Sequence, residues 1–286
     1  MVYGECCNLP VIIPFGTAWS MNNFIAFIRL LWFQRRLIVS MAAREVRAQY
    51  VGSSLGIIWT VIHPIVMITV FWFVFSVGFK ARPMNDVPFV VWLTAGLAPW
   101  YIFSEIISGS TNIIVGHAHL VKKTIFSPQI LPVVKILSSL LTHAVFLLVL
   151  LALLLFQQMP VSWYFLQVLY YLFCLLMLSL GISWGLSSLN VFLRDISQLV
   201  TVVLQVGFWV TPIFWDISMM DAKVQWYLKW NPVYYIVQGY RESFVSFKPF
   251  WEHPCYTLYF WLVTGVVMAA GALIFRKLKP QFPDVL

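Results

Sequence analysis

The chain has 286 residues, of which 61% are hydrophobic and only 10% are charged, whereas soluble domains carry about 25% charged residues. A body of this size has too little interior to hide so much apolar surface, so the composition excludes a soluble enzyme, a secreted disulfide scaffold and a disordered chain. The net charge of +8 fits a membrane protein with basic loops, so we expect contacts with membrane lipids and no nucleic-acid partner.

The N-terminal part divides at about residue 22. Residues 1–22 form an extension to which no role is assigned, and residues 23–56 form a predicted interface region. Within it, Asn23–Tyr50 mixes apolar and basic side chains, which favours an amphipathic helix on the cytoplasmic membrane surface. A spanning helix here would bury arginines at about 2.5–3.5 kcal/mol each. The arginines expected at the lipid headgroups are Arg35, Arg36, Arg44 and Arg47.

A transmembrane domain is predicted over residues 57–275, because six apolar stretches there are long enough to cross a bilayer, which takes about 20 residues. Their hydrophobicity is continuous, whereas barrel strands alternate, so the sequence predicts an all-α membrane protein with six transmembrane helices. The predicted spans are Ile57–Phe79, Val87–Ser108, Ile136–Phe156, Val161–Leu189, Ile196–Trp215 and Cys255–Phe275.

The long segment between the fifth and sixth spans is rich in Trp and Tyr. Met219–Trp230 and Val233–Ser246 each have a helical pattern and are separated by Asn231-Pro232, where proline suits the first position of a helix. With so much apolar surface, these two helices are expected to lie on or dip into the outer leaflet. We therefore predict an external re-entrant helix pair.

Basic residues are distributed unequally between the two sides of the predicted spans. With both termini in the cytoplasm, the inner side carries twelve Lys and Arg residues and the outer side carries six. Because basic segments are retained in the cytoplasm, this asymmetry predicts cytoplasmic termini and a cytoplasmic tail at residues 276–286.

The sequence contains none of the glycine motifs that bind nucleotide phosphates. No glycine precedes Lys-Ser or Lys-Thr, and G-x-G-x-x-G does not occur. If the protein works with ATP and Mg, another polypeptide binds them. The pair His117-x-His119 lacks neighbouring Cys or carboxylate ligands and is more typical of solvated loop residues than of a metal site. We predict no catalytic residue, cofactor site or metal site on this chain, and therefore no enzyme.

Few ionisable residues lie within the predicted spans. Glu105 is the only acid among them, and its position in the second predicted span is within a turn of the cytoplasmic end, where it would reach water or an arginine. We expect it to anchor the helix at the interface rather than to line a pathway. His63 and His143 are expected to bond across helices or line an aqueous path.

Aromatic residues are concentrated in the first, second and fifth spans. Part of this content is the ordinary interfacial belt of membrane proteins. Aromatic faces also stack on the apolar faces of sugar rings, so the same residues are candidates for a glycan channel. The channel candidates are Phe71, Trp72, Phe75, Trp92, Trp100, Tyr101, Phe208 and Trp209.

Several strings, taken in order and spacing, resemble one family: the ABC-2 type permeases that form the membrane subunits of O-antigen, teichoic acid and capsule ABC transporters. The resemblance runs from about Arg36 to Arg276. The strings are Arg44-Glu45-Val46-Arg47-Ala48-Gln49-Tyr50, Leu55-Gly56-Ile57-Ile58-Trp59, Gly96-Leu97-Ala98-Pro99-Trp100, Leu120-Val121-Lys122-Lys123 to Ile130-Leu131-Pro132, Asn190-Val191-Phe192-Leu193-Arg194-Asp195-Ile196, Thr211-Pro212-Ile213, and Asn231-Pro232 followed by Tyr240-Arg241.

The resemblance implies a homodimer that pairs with two nucleotide-binding ATPase subunits, on which ATP and Mg would bind. It implies that the loop around Val115–Ile130 seats a coupling helix on the ATPase. The implied ATPase-coupling residues are Lys122, Lys123, Arg194 and Asp195, for which a simple positive-inside pair and a solvated turn are the alternatives. The external helix pair would form a gate with Trp226, Tyr227, Trp230, Tyr234, Tyr235 and Tyr240.

The resemblance implies that the protein exports a lipid-linked polysaccharide from the inner to the outer face of the bacterial inner membrane. The Asn190–Ile196 string is closer to the O-antigen and teichoic acid branches than to the capsule branch, so O-antigen is the first expectation. The alternatives are a teichoic acid or capsule exporter, and a drug or lipid exporter of the same class. A membrane-embedded glycan transferase would need a convergent set of polar residues, and Glu105 and His143 are too isolated to supply it.

Overall fold

The structure is a computed structural model, and it describes residues 21–80, 87–123 and 126–286. The predicted extension at 1–22 lies outside the described residues except for its last two positions. Within the described ranges the chain is helical and forms no strand, which confirms the all-α class. Its α-helices are α1 (Met21–Phe33), α2 (Arg35–Ala48), α3 (Trp59–Trp72), α4 (Phe89–Gly116), α5 (Ala118–Val121), α6 (Leu131–Phe156), α7 (Val168–Phe192), α8 (Ile196–Val210), α9 (Ala222–Lys229), α10 (Pro232–Arg241), α11 (Pro254–Leu278) and α12 (Phe282–Val285).

Among residues 21–80, 87–123 and 126–286, five helical segments are long and apolar enough to cross a membrane, which confirms five of the six predicted spans as long apolar helices. Each consists of one long helix, in most cases continued by a short 3₁₀ or π turn. These segments are Gly56–Gly78, Phe89–Gly116, Pro128–Phe156, Trp163–Phe192 and Pro254–Val285.

The fifth predicted span, Ile196–Trp215, is shorter in the structure. Its helix α8 has 15 residues and ends at Val210. At 1.5 Å per residue it is about 22 Å long, less than the ~30 Å of hydrocarbon that a span must cross. The helix ends because Pro212 disfavours helical geometry at the residue before it, and Thr211 is accordingly extended, with φ −73° and ψ 128°.

The central helix of the bundle is α4. Its apolar window is 78% buried, against 17–39% for the other four long segments. It packs against α6 and α7 along its length and against α8 and α10 at separate points. Helices α7 and α11 form the other extensive contact, where a Cβ on Gly271 would overlap the carbonyl oxygen of Gly181. Such close approach requires residues without side chains at the crossing.

The bundle has two distinct ends. The first, here called the aromatic end, contains the turn at 163–167, helices α9 and α10, the segment 242–252 and the start of α11. The Gln167 side chain links two of these segments. Its amide N–H donates to the Lys248 carbonyl at 3.0 Å, and its amide oxygen accepts from the Phe250 N–H at 2.9 Å. The Gln167 side chain therefore ties the turn at 163–167 to the segment 242–252.

The second end, here called the basic end, contains α2, the end of α4, α5, the end of α7 and α12. Asn190 donates its amide to the Asn112 side chain at 3.1 Å, which joins α7 to α4. The C-terminal tail also packs here, since Phe282 is fully buried and its ring lies 5.6 Å from that of Phe275. The predicted cytoplasmic tail is thus a short helix packed on the bundle.

The predicted interface region forms two helices, α1 and α2. Helix α2 carries Ile38, Met41 and Ala42 on one buried face, at the spacing of neighbouring helical turns, and this face packs against α6. The Phe27 ring of α1 lies 5.1 Å from that of Trp184. Part of the apolar face expected at lipid is therefore covered by protein.

Candidate functional site

Four of the predicted channel residues are brought together in one aromatic cluster. Phe71 and Phe75 from the first span meet Phe208 and Trp209 from α8 around the Phe214 ring. Ring centroids are 5.7 Å apart for Phe71 and Phe208, 5.1 Å for Phe75 and Phe214, and 4.8 Å for Trp209 and Phe214. The sequence placed these residues on separate spans, and the fold joins them.

The other channel candidates occupy different environments. Trp100 is buried in α4, and its ring lies 6.0 Å from Phe208 beside Gly207, where a Cβ would come within 2.9 Å of it. Tyr101 points elsewhere and stacks on Phe146 at 4.9 Å. Trp72 is 40% exposed on the outer face of the first span. The eight residues therefore do not form one continuous lining within a single chain, and their role in a channel stays a prediction.

Trp92 belongs to a buried cationic site that the sequence did not predict. The Arg241 guanidinium lies over its ring, 3.5 Å from the centroid, and donates to the carbonyls of Pro212 and Ile213, the first at 2.7 Å. Arg241 is 4% exposed, and a Cβ on Gly96 would lie 2.8 Å from its Nη2 atom. Because the helix break at Pro212 frees those carbonyls, one arginine fastens α10 to α4 and to the end of α8.

Arg241 was counted among the external basic residues, and its burial corrects that count. The only signal in the sequence was a lone arginine in an otherwise apolar and aromatic helix, which is also the pattern of an interfacial residue. Its partners are two backbone carbonyls and an indole ring. All three are uncharged, so no acidic residue in the sequence indicates where the arginine binds.

Glu105 provides a second correction. Helix α4 continues to Gly116, so Glu105 lies eleven residues from its end and not within a turn of it. Its carboxylate accepts a hydrogen bond from Lys135 Nζ at 3.0 Å and another from Ser139 Oγ at 2.9 Å. The Lys135 side chain is only 5% exposed and the Glu105 side chain 26%. The acid is therefore half of an interhelical ion pair that links α4 to α6.

His143 lies in α6 and bonds across helices, as expected from the sequence. Its Nε2 atom is 3.0 Å from the Tyr240 hydroxyl of α10. Both side chains are almost completely buried, at 2% and 0% exposure. The contact adds a polar link between α10 and α6.

The predicted external helices are confirmed as helices, with a break at Asn231-Pro232. The Asn231 side chain accepts from the Val233 N–H at 3.0 Å and caps α10, while Pro232 occupies its first turn. Helix α9 has no buried residue, whereas α10 buries most of its length and is continued by a π turn to Ser246. The two helices therefore differ in how firmly they are held.

The six gate candidates follow this division. Trp226, Tyr227 and Trp230 are 55%, 70% and 53% exposed. Tyr234 and Tyr235 are partly buried, and the Tyr235 hydroxyl bonds Thr257 of α11 at 3.0 Å. Tyr240 is fully buried. Three of the six are thus available to a ligand or lipid, and the gate itself stays a prediction.

A carboxylate next to Arg241 forms a further polar cluster that the sequence did not single out. The Glu242 side chain is 7% exposed, accepts from the Tyr171 hydroxyl at 3.4 Å and lies 3.9 Å from His253 Nε2. Burial raises the pKa of the Glu242 carboxyl, while the His253 imidazole, Gln238 and Tyr171 act in the opposite direction. The cluster joins α7, α10 and the start of α11 at the aromatic end.

The predicted coupling residues lie in two turns at the basic end. Lys122 and Lys123 follow the four-residue helix α5, and Arg194 and Asp195 form the turn between α7 and α8. All four side chains are exposed. Two residues of the Val115–Ile130 loop, 124 and 125, lie outside the described residues. The arrangement leaves a charged surface open to a partner, and the coupling role itself stays a prediction.

The interface arginines are exposed as well. Arg35 stacks on Trp32, with its guanidinium carbon 4.8 Å from the ring centroid, and donates to the Trp32 carbonyl at 3.0 Å. Arg36, Arg44 and Arg47 lie on faces of α2 away from the buried Ile38 side.

Comparison with known families decides the membership of the chain. The ABC-2 type transporter family matches residues 36–245, close to three quarters of the sequence. The chain belongs to this family. The resemblance based on short strings is therefore confirmed. With five long apolar helices in the part of the chain that the structure describes, this ABC-2 type protein is a multi-pass membrane protein.

Relatives with curated names cover most of the ABC-2 type chain. It is 26% identical to the O-antigen export system permease protein RfbA of Klebsiella pneumoniae, over 87% of this chain and 95% of that protein. It is also 26% identical to the protein of the same name from Myxococcus xanthus, over 91% and 99% of the two chains. Identity to the polysialic acid transport protein KpsM of Escherichia coli is 23%, over 73% and 81%.

Proposed function

We propose that this protein is the permease subunit of an ABC transporter that exports a lipid-linked polysaccharide, O-antigen in the first place, across the bacterial inner membrane. The observation that carries the proposal is the similarity to two O-antigen export system permeases over 95% and 99% of their lengths. The polysialic acid transporter among the relatives favours capsular polysaccharide as the second candidate substrate. Teichoic acid is a third.

The proposed topology has six crossings and both termini in the cytoplasm. Helix α8 alone is too short to cross, so the fifth crossing would be α8 together with the non-helical segment 211–215 that follows it. Charge asymmetry supports it even after two corrections. Removing the buried Lys135 and Arg241 from the count leaves eleven basic residues on the inner side and five on the outer side. In this topology α2 lies at the cytoplasmic membrane surface and the aromatic end faces outward.

Accessibility of single cysteines tests the topology. Arg194→Cys, in a chain whose own cysteines are replaced, should react with a membrane-impermeant maleimide only after the cells are opened. Lys223→Cys at the start of α9 should react from outside in intact cells. Labelling of both positions from the same side would rule out α8 as a crossing.

The proposed assembly is a homodimer with two ATPase subunits, which would supply the ATP and Mg sites. The contact with the ATPase subunits is supported by the exposed pairs Lys122, Lys123 and Arg194, Asp195, which share the basic end with α12. A surface of this kind can meet an acidic partner without burying unpaired charge. Reversal of Lys122 and Lys123 to Glu should abolish export while the chain still inserts, whereas Lys277→Glu is the matched exposed control.

Complementation tests the substrate. The chain and its ATPase partner are expressed in a strain that lacks its O-antigen export permease, and surface polysaccharide is measured beside the amount of chain in the membrane. Restored surface polysaccharide is the expected result. No restoration, with normal membrane insertion and a functional ATPase, would contradict O-antigen export, and efflux of small amphiphiles in its place would favour the drug-exporter alternative.

Trp72→Ala and Trp209→Ala should reduce glycan export more than they reduce efflux of small amphiphiles.

A further inference from the structure

A small pocket lies at the aromatic end, between α9 and the first two turns of α11. Its volume is about 140 Å³, below the ~300 Å³ at which drug-sized ligand sites begin, so it accommodates a single ring rather than a chain. The pocket lies on the more loosely held of the two external helices. The residues that line it are Trp226, Lys229, Trp230, Cys255, Tyr256 and Tyr259.

The aromatic side chains form walls at steep angles to each other. The Trp226 and Trp230 rings are 5.1 Å apart at 63°, and the Trp230 and Tyr259 rings are 5.6 Å apart at 69°. The Tyr259 hydroxyl donates to the Trp230 carbonyl at 2.6 Å, which fixes its ring against the end of α9. The walls are thus positioned before any ligand enters, which lowers the entropy cost of binding.

The side chains that line the pocket indicate which class of ligand it can bind. Aromatic faces stack on apolar C–H faces, and indole N–H and phenol groups bond hydroxyls. A pyranose ring presents both features. The Lys229 ammonium disfavours a quaternary ammonium ligand, which aromatic walls alone would accept, and it favours a negative substituent. A bare anion would contact Lys229 and leave the aromatic faces without a partner. An acyl chain would contact the aromatic faces and leave Lys229 without one.

We propose that this pocket binds one pyranose ring bearing an anionic group, such as a carboxylate or phosphate, from the exported polysaccharide at the outer face. The inference rests on the proposed function for the source of the sugar, while the site itself rests on the pocket. Because the Trp230–Tyr259 contact ties α9 to α11, a ring bound there holds these two helices together. The polysaccharide would therefore stabilise one position of α9 as it leaves.

Direct binding tests the site without any export step. The full-length chain in phosphatidylcholine nanodiscs is mixed with methyl β-D-glucuronide, methyl β-D-glucoside or inorganic phosphate, and ligand binding is followed by saturation-transfer NMR and titration. Variants are Trp226→Ala and Lys229→Ala. The matched control is Trp163→Ala, because Trp163 is 87% exposed at the same end and does not line the pocket.

The glucuronide should bind the parent chain and the Trp163 variant alike, and the Trp226 variant about tenfold more weakly. Lys229→Ala should weaken the glucuronide and leave the glucoside unchanged. Equal binding by the Trp226 variant would overturn the proposal. So would phosphate binding as tight as the glucuronide, or loss of the glucuronide when phosphatidylglycerol replaces phosphatidylcholine, since an anion or a lipid headgroup would then be the occupant.

The export assay separates this proposal from the function on which it rests. Sugar binding that requires Trp226, in a chain that restores no surface polysaccharide, would refute the proposed export function and leave the pocket in place. Restored export that Trp226→Ala leaves unchanged, together with absent sugar binding, would refute the pocket alone.

Discussion

The interhelical ion pair between Glu105 and Lys135 allows an asymmetric prediction. The Lys135 side chain is 5% exposed, so Glu105→Gln leaves an ammonium buried without its carboxylate. Removing one partner of a buried pair costs about 3–5 kcal/mol, because the remaining charge is neither solvated nor compensated. We expect Glu105→Gln to lower the free energy of unfolding by an amount in that range.

The reverse change should cost less. In Lys135→Met, Glu105 keeps its hydrogen bond from Ser139, is 26% exposed and can take up a proton. The expected loss is about 1–3 kcal/mol, the range for a polar group that loses a partner. The double variant Glu105→Gln/Lys135→Met removes both charges and should be more stable than Glu105→Gln alone, because no unpaired ammonium remains.

Unfolding titrations with SDS in mixed micelles, at one pH and lipid composition, measure all three variants. Lys277→Met is the control, since Lys277 is exposed and its removal should change stability by about 0.5 kcal/mol or less. Equal losses in the two single variants would refute the predicted asymmetry. A loss in the double variant equal to the sum of the single losses would show that the two side chains are not coupled.

Two further predictions concern close packing and a buried polar contact. Gly271→Ala places a methyl group against the Gly181 carbonyl and should destabilise the chain by about 1–3 kcal/mol, whereas Gly265→Ala on the same helix meets open space and should be neutral or slightly stabilising. Tyr240→Phe leaves His143 Nε2 without its partner and should cost about 1–3 kcal/mol. Adding His143→Leu should recover part of that loss, and the same titration detects an absence of recovery, which would contradict the contact.

The positions of the long helices were largely predictable, and their ends were not. The second span was expected to end at Ser108, and the residues from Gly109 to Lys135 were expected to connect it to the third. In the structure Thr111 is fully buried within α4, and its hydroxyl donates a hydrogen bond to the Ile107 carbonyl at 2.7 Å. Small polar side chains can donate hydrogen bonds to backbone carbonyls one turn earlier in the same helix. A polar stretch in the sequence therefore does not show where the helix ends.

The positions of the candidate site residues were likewise only partly predictable from the sequence. Exposed groups such as Lys122 and Arg194 were predicted at one end of the molecule, because charge follows the two sides of a membrane. Arg241 and Glu105 were misplaced, because their environment depends on helices distant in sequence. A hydrogen-bond partner 30 residues away, as for Glu105 and Lys135, has no local pattern that a sequence can display.

The sequence by itself therefore determined that the protein lies in a membrane, that it is helical, and that basic residues are distributed unequally among the segments that join the predicted spans. These properties follow from apolar length and net charge, which add up along the chain regardless of how it packs. The tertiary structure alone decided which polar groups meet inside the bundle and which aromatic residues surround a pocket. Pairing and enclosure depend on distances between helices, and those distances are set by side-chain packing between segments far apart in sequence.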